Sequence, residues 1–227
     1  MSGGALARGA MALALAVLGV SAAHGDSAAV PSGPAGLQSA VGRCSEKPAA
    51  HGGPQSRATT RGLACAVLPH LRGFAVGRLD GVASATGVDV SIELAGTPYR
   101  SIDVTVTKPG VWPPFSGCTD DHGYRRVVCR TMPDGTLVEI DQRVATTRGE
   151  VLDSLYDGHA TRKDGGQVFV QVFTRAPRAD ALRGLTERIL ADPIITWHIP
   201  DERNHLGQEL EPFGTLTYEF EADPDPR

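Results

Sequence analysis

The sequence predicts an α+β fold: an antiparallel sheet of successive β-hairpins packed against a C-terminal amphipathic helix. Three observations predict it. First, Val88, Val90, Ile92 and Leu94 alternate with Asp89, Ser91 and Glu93, and Tyr99 to Thr107 alternates again with Ile102, Val104 and Val106 on one face. That is the period of half-buried strands. Second, two later segments carry Asp-Gly turns, Asp134-Gly135 and Asp164-Gly165, where Gly takes positive φ without steric cost and Asp tolerates the turn. Third, Leu182, Leu185, Ile189 and Leu190 share one face of a helix near Ala179 to Ala191, with Arg183, Thr186, Glu187 and Arg188 on the other. A sheet with one apolar face and a helix with one apolar stripe bury each other.

In chain order, residues 1–25 have the layout of a secretory signal peptide. A short stretch charged only at Arg8 precedes an apolar run from Ala10 to Val20, and small residues follow for cleavage near Ala23 or Gly25. The run is shorter than the ~20 apolar residues that span a bilayer as a helix. A secreted or extracytoplasmic protein is therefore expected, with retention by an uncleaved signal anchor as the alternative. No transmembrane helix is expected after signal cleavage.

Residues 26–62, rich in Ala, Gly, Ser, Pro and Thr, read as a flexible leader tethered at Cys44. The α+β domain is expected over 63–200. Leu71, Phe74, Ala75, Leu79 and Val82 fall at helical spacing and predict a helix near 70–84, although Gly73, Gly77 and Gly81 each weaken it by ~1 kcal/mol. The first hairpin turns at Ala95 to Pro98. The second runs from Tyr124 to Arg130, through Met132 to Gly135, into Thr136 to Arg143. The third links Ala160 to Lys163 with Val168 to Thr174. Asp180 caps the helix start, and Asp192-Pro193 ends it. Residues 201–227 hold eight acidic residues and two arginines. They read as a solvated acidic tail with an optional strand at Leu216, Tyr218 and Phe220, or as a contact for a basic partner.

Cys44, Cys65, Cys118 and Cys129 are an even set, which in an exported chain favours disulfides. Cys44–Cys65 and Cys118–Cys129 each close a short local loop and are the expected pairs. A metal site at Cys118, His122 and Cys129 lacks the close Cys pairs of zinc centres, and none is expected. His198 and His205 are a weaker metal candidate in a loop.

Lys and Arg total 22 against 26 Asp and Glu, so the net charge of −4 gives a nucleic-acid partner no support. There is no Gly-x-Ser-x-Gly elbow, His-Glu-x-x-His pair, P-loop or dinucleotide fingerprint, and no cofactor is expected. The candidate binding loop is Val111 to His122. Trp112 and Phe115 stand among prolines, Cys118 would pin the far end, and Asp120, Asp121 and His122 add titratable groups. Aromatics on stiff loops make good anchors. The competing readings are a cover over one end of the sheet, or His122 as a base oriented by Asp121.

The run from Cys118 through Cys129 to Asp134-Gly135, the later Arg162 to Gly165 hairpin and the Leu-rich helix ending at Asp192-Pro193 resemble a group of actinobacterial exported or membrane-anchored proteins of unknown function. The resemblance covers residues 85–197 and implies an extracytoplasmic setting. It brings no catalytic residue with it. The cysteine spacing differs from that of secreted subtilisin-inhibitor-like proteins. The expected function is a non-catalytic binding or cell-envelope accessory module with an unknown protein or cell-envelope partner. The alternatives are a small secreted hydrolase built on His122 or His198, or a secreted protease inhibitor presenting the 109–118 loop.

Overall fold

Alternating side chains set the sheet, and its topology decides which residues share a face. The structure, a computed structural model, describes residues 35–46, 53–95, 99–113, 125–147, 150–174 and 180–216. In order these form α1 (Ala35–Glu46), β1 (Gln55–Arg57), α2 (Thr60–Val67), a 3₁₀ turn (Leu68–Leu71), β2 (Ala75–Ala83), β3 (Gly87–Ala95) and β4 (Tyr99–Thr107). There follow β5 (Arg125–Thr131), β6 (Leu137–Thr147), β7 (Glu150–Thr161), β8 (Gln167–Thr174), α3 (Asp180–Ala191), β9 (His198–Pro200), α4 (Asp201–Gly207) and β10 (Gly214–Thr215). The main sheet has the order β10-β2-β3-β4-β8-β7-β6-β5. Its pairs are antiparallel except β10 with β2. β1 and β9 form a separate antiparallel pair.

The fold is thus α+β with a mostly antiparallel sheet. Val90, Ile92, Ile102, Val104, Val168, Val170, Val172, Ala160, Val138 and Ile140 are buried on one face. Complete burial of each large aliphatic contributes about 1.5–3 kcal/mol. α3 covers β6, β7 and β8 with Leu182, Leu185, Ile189 and Leu190, while α2 covers β2 and β3. α1 and α4 pack behind α2.

The two Asp-Gly hairpins close identically. Gly135 N–H donates to Met132 O and Met132 N–H to Thr136 O; thirty residues on, Gly165 N–H donates to Arg162 O and Arg162 N–H to Gly166 O. Asp134 and Asp164 each accept from the N–H two residues ahead, at 2.9 and 2.8 Å. Gly135 and Gly165 have φ of 88° and 85°, the left-handed residue of a three-residue hairpin loop.

Five expectations are corrected. The helix near 70–84 is replaced by the 3₁₀ turn and strand β2. A register shift between Val76 and Arg78 inserts one residue against β3, so the buried positions Val76, Leu79 and Gly81 break the period of two that marks a strand. The leader does not extend to residue 62 as a flexible segment: α1 buries Leu37, Ala40 and Cys44, β1 pairs with β9, and α2 begins at Thr60. The segment after 200 is not solvated throughout: α4 buries Arg203 and Gly207, and Leu210 is fully buried. The strand entering the third hairpin starts at Glu150 rather than Ala160. The helix expected to close the fold, α3, is followed by β9, α4 and β10.

Cys44 and Cys65 are joined in a disulfide between α1 and α2, with Cα atoms 5.2 Å apart and both residues buried. Arg203 Nη1 donates to the Cys44 carbonyl at 2.6 Å, tying α4 to the same point. Cys129 lies on β5, and its expected partner Cys118 falls outside the described residues.

Candidate functional site

The face of the sheet that the described helices leave uncovered and the loop leaving β4 form the candidate site. Residues that alternate with the core positions project from this face: Asp89, Ser91 and Glu93 from β3, Ser101, Asp103 and Thr105 from β4, and Gln167, Phe169 and Gln171 from β8. Thr105 Oγ1 donates to Asp89 Oδ1 at 2.5 Å, and Ser91 Oγ donates to Asp103 Oδ1 at 2.6 Å. Burial pushes the Asp103 carboxyl above its ordinary value, against the opposing pull of hydrogen bonds from Ser91 and Ser101. Farther along, the His159 ring meets Phe169 edge-on at 4.8 Å, and His159 Nε2 lies 3.3 Å from Asp157 Oδ1.

At one end of this face the chain leaves β4 through residues 108–113. Lys108 N–H donates to Thr86 O at 2.9 Å, and Val111 N–H to Lys108 O at 3.3 Å. Gly110 turns the chain at φ 79°. Beneath it Gln167, only 2% exposed, donates from Nε2 to the carbonyls of Trp112 and Pro113 at 3.4 and 2.8 Å. Above it Val111 and Trp112 are 37% and 58% exposed, and they are the exposed large hydrophobics found among the described residues. Trp112 stands in solvent on backbone fixed from below.

Of the other residues singled out in this loop, Phe115, Asp120, Asp121 and His122 lie outside the described residues, as does Cys118. His198 is exposed on β9 with its ring 6.4 Å from Trp197. Trp197 itself is buried under the Arg57 guanidinium, whose carbon sits 4.6 Å from the ring centroid. His205 lies on α4 and is exposed.

A second polar cluster lies where the 3₁₀ turn meets the end of α3, and the sequence analysis missed it. His70 Nε2 and Asp192 Oδ2 are 2.8 Å apart. Arg162, 7% exposed, donates from Nη2 to the carbonyls of Asp192 and Ile195 at 2.7 and 3.0 Å. It thereby satisfies the carbonyl end of α3, where a cation is favoured. Burial tends to raise the Asp192 carboxyl, but hydrogen bonds from His70 and the Ile194 N–H, with the Arg162 charge, hold it below its ordinary value. Burial also lowers the Arg162 pKa, opposed by Asp134, Asp192 and Asp164. The His–Asp contact resembles an oriented base. Among the described residues, however, no hydroxyl or thiol hydrogen-bonds to His70, so the cluster ties α3 to the 3₁₀ turn.

No family model matches the chain, and no curated protein matches it. The fold class is that of an α+β domain with one face of its sheet left open by the described helices.

Proposed function

We propose that this chain is an exported, disulfide-tied binding module that holds a protein or cell-envelope partner on the loop bearing Trp112. One observation carries this reading: an exposed tryptophan on a backbone whose carbonyls are gripped by the buried Gln167 amide. Tryptophan is among the residues most enriched at binding hot spots, and a loop fixed before contact loses less entropy on association. The bridge between Cys44 and Cys65 supports an oxidising compartment. In this reading the protein has no catalytic centre, and its role is adhesion or presentation.

The test is capture of culture-supernatant and envelope proteins by the mature chain and by Trp112→Ala, with both baits matched for thermal melting. A hot-spot loss of about 2 kcal/mol corresponds to roughly thirtyfold in affinity, so the specific partner should vanish from the variant's eluate. Equal recovery by both baits, or hydrolytic turnover by the wild type in a broad substrate screen, would overturn the proposal.

A further inference from the structure

The open sheet face carries its acids in a regular order. At the level of Asp89 and Thr105, at that of Ser91 and Asp103, and at that of Glu93 and Ser101, each cross-strand pair contributes one carboxylate and one hydroxyl. Successive levels are two residues apart, about 6.7 Å along a strand. None of the three carboxylates has a cationic partner among the described residues: Asp89 and Asp103 accept from hydroxyls, and Glu93 is exposed. Arg78, which stands opposite Glu93 on neighbouring β2, is paired with Asp80 at 2.7 Å.

The next level toward the Trp112 loop is also short of partners. There Thr107 stands opposite Gly87 on one side and Gln167 on the other. Thr107 is 4% exposed, and among the described residues its Oγ1 has no hydrogen-bond partner; neither has Gln167 Oε1. A buried polar atom left without a partner is unfavourable. These two oxygens lie on the same face of the sheet as the carboxylates, one level nearer the loop. An exposed aromatic, a level with orphaned acceptors and three levels with one carboxylate each thus follow one another along β3 and β4.

We propose that the partner engaged by Trp112 presents an extended, lysine-rich segment that lies along β3 and β4, with alternate ammonium groups on Asp89, Asp103 and Glu93. The inference rests on the reading of Trp112 as the docking anchor and names the chemistry of what docks. An extended chain places every second side chain on one face at the same ~6.7 Å interval, so a Lys-x-Lys-x-Lys run meets one carboxylate per level. Lysine suits the site because Asp89 and Asp103 each already accept a hydroxyl on one oxygen, which favours a point charge on the other over a planar fork that spans both. Complementary charge also steers the encounter.

The probe is a synthetic hexapeptide of alternating Lys and Thr, titrated into the full mature chain by calorimetry and by Trp fluorescence. Its control has the same composition with the three lysines in a block. The alternating peptide should bind at least fivefold tighter than the block. Replacing the acids together (Asp89→Asn, Glu93→Gln, Asp103→Asn) should raise its Kd at least tenfold, with circular dichroism showing the fold kept. Equal binding of the two peptides, or an unchanged Kd in the triple variant, overturns the inference. The two readings fail separately: loss of the captured partner in Trp112→Ala but not in the triple variant leaves the anchor standing and removes the lysine-rich segment.

Discussion

α2 and α4 cross where neither helix has a side chain, and adding one methyl there measures how tightly the helical layer is set. A Cβ on Gly207 would lie 2.5 Å from the carbonyl carbon and oxygen of Arg61 and 2.7 Å from Gly62 N. A Cβ on Gly62 would meet Asn204 Oδ1 at 2.1 Å and its Cα at 2.9 Å. The obstacles to Gly207→Ala are backbone atoms, so relief requires the helices to separate. Overpacking of this kind costs typically 1–3 kcal/mol, and the backbone contact puts Gly207→Ala at about 3 kcal/mol. For a chain of this length each kcal/mol moves the melting temperature by roughly 2–4 °C, so a fall of about 6–12 °C is expected by calorimetry. Gly184→Ala is the matched control. It sits inside α3, and the atom its Cβ would approach most closely, Arg188 Nη1, is 3.5 Å away at the end of a flexible side chain. The control gains helix propensity of about 0.5–1 kcal/mol and should melt a degree or more higher. If Gly207→Ala melts within about 2 °C of wild type, the close-approach reasoning is wrong.

Two further outcomes are expected. Replacing Cys44 and Cys65 together by Ala opens a loop spanning a sequence separation of 21. This should cost about 3 kcal/mol on the chain-entropy model, read as a lower urea midpoint with a slope no shallower than that of wild type, since the unlinked denatured chain exposes more surface; an unchanged midpoint would refute it. The lowered Asp192 carboxyl predicts a pH dependence. A carboxyl whose folded pKa lies below its unfolded value of about 3.9 contributes stability that is complete above that value and is lost as pH falls through the folded pKa. Below about pH 4, therefore, the wild-type melting temperature should fall more steeply than that of Asp192→Asn; parallel curves would remove the linkage.

The middle of the sheet was legible because β3, β4 and β8 keep a strict period of two. The Asp-Gly turns were legible because both glycines take the backbone conformation that makes Gly necessary there. What hid β2 was its bulge, which interrupts the period of two expected of a strand. In β7, the inward position between Tyr156 and Ala160 is Gly158, against which Thr186 and Leu190 of α3 pack so closely that a Cβ would come within 2.6 and 2.7 Å of them. A glycine at the place where a helix touches a sheet leaves a gap in the hydrophobic pattern. α1 was missed because two of its buried residues, Ala40 and Cys44, are small, although Leu37, Ala40, Val41 and Cys44 have helical spacing. α4 was mistaken for solvated chain because Asp201 and Glu202 were counted as loose charge. They sit in the first turn of the helix, where acids are favoured. For the site, Trp112 was legible as an aromatic among prolines. Gln167 was not, because nothing local distinguishes a strand-opening glutamine that grips another loop from one that faces water.

The order of the strands also has a consequence for how the molecule is made. β2, β3 and β4 form one local meander and β5 to β8 another, yet the two halves meet through β4 and β8, in mid-sheet. Thr107 pairs with Gln167 across that junction, and the pairs Val106–Val168, Val104–Val170 and Ile102–Val172 zip it shut. Neighbouring hairpins close over short loops, whereas this seam must wait for the whole second ribbon, and distant pairings of that kind are what slow folding. Among the antiparallel pairs of the main sheet, this seam therefore closes over the longest stretch of chain, and its valine edges meet only once both ribbons are made.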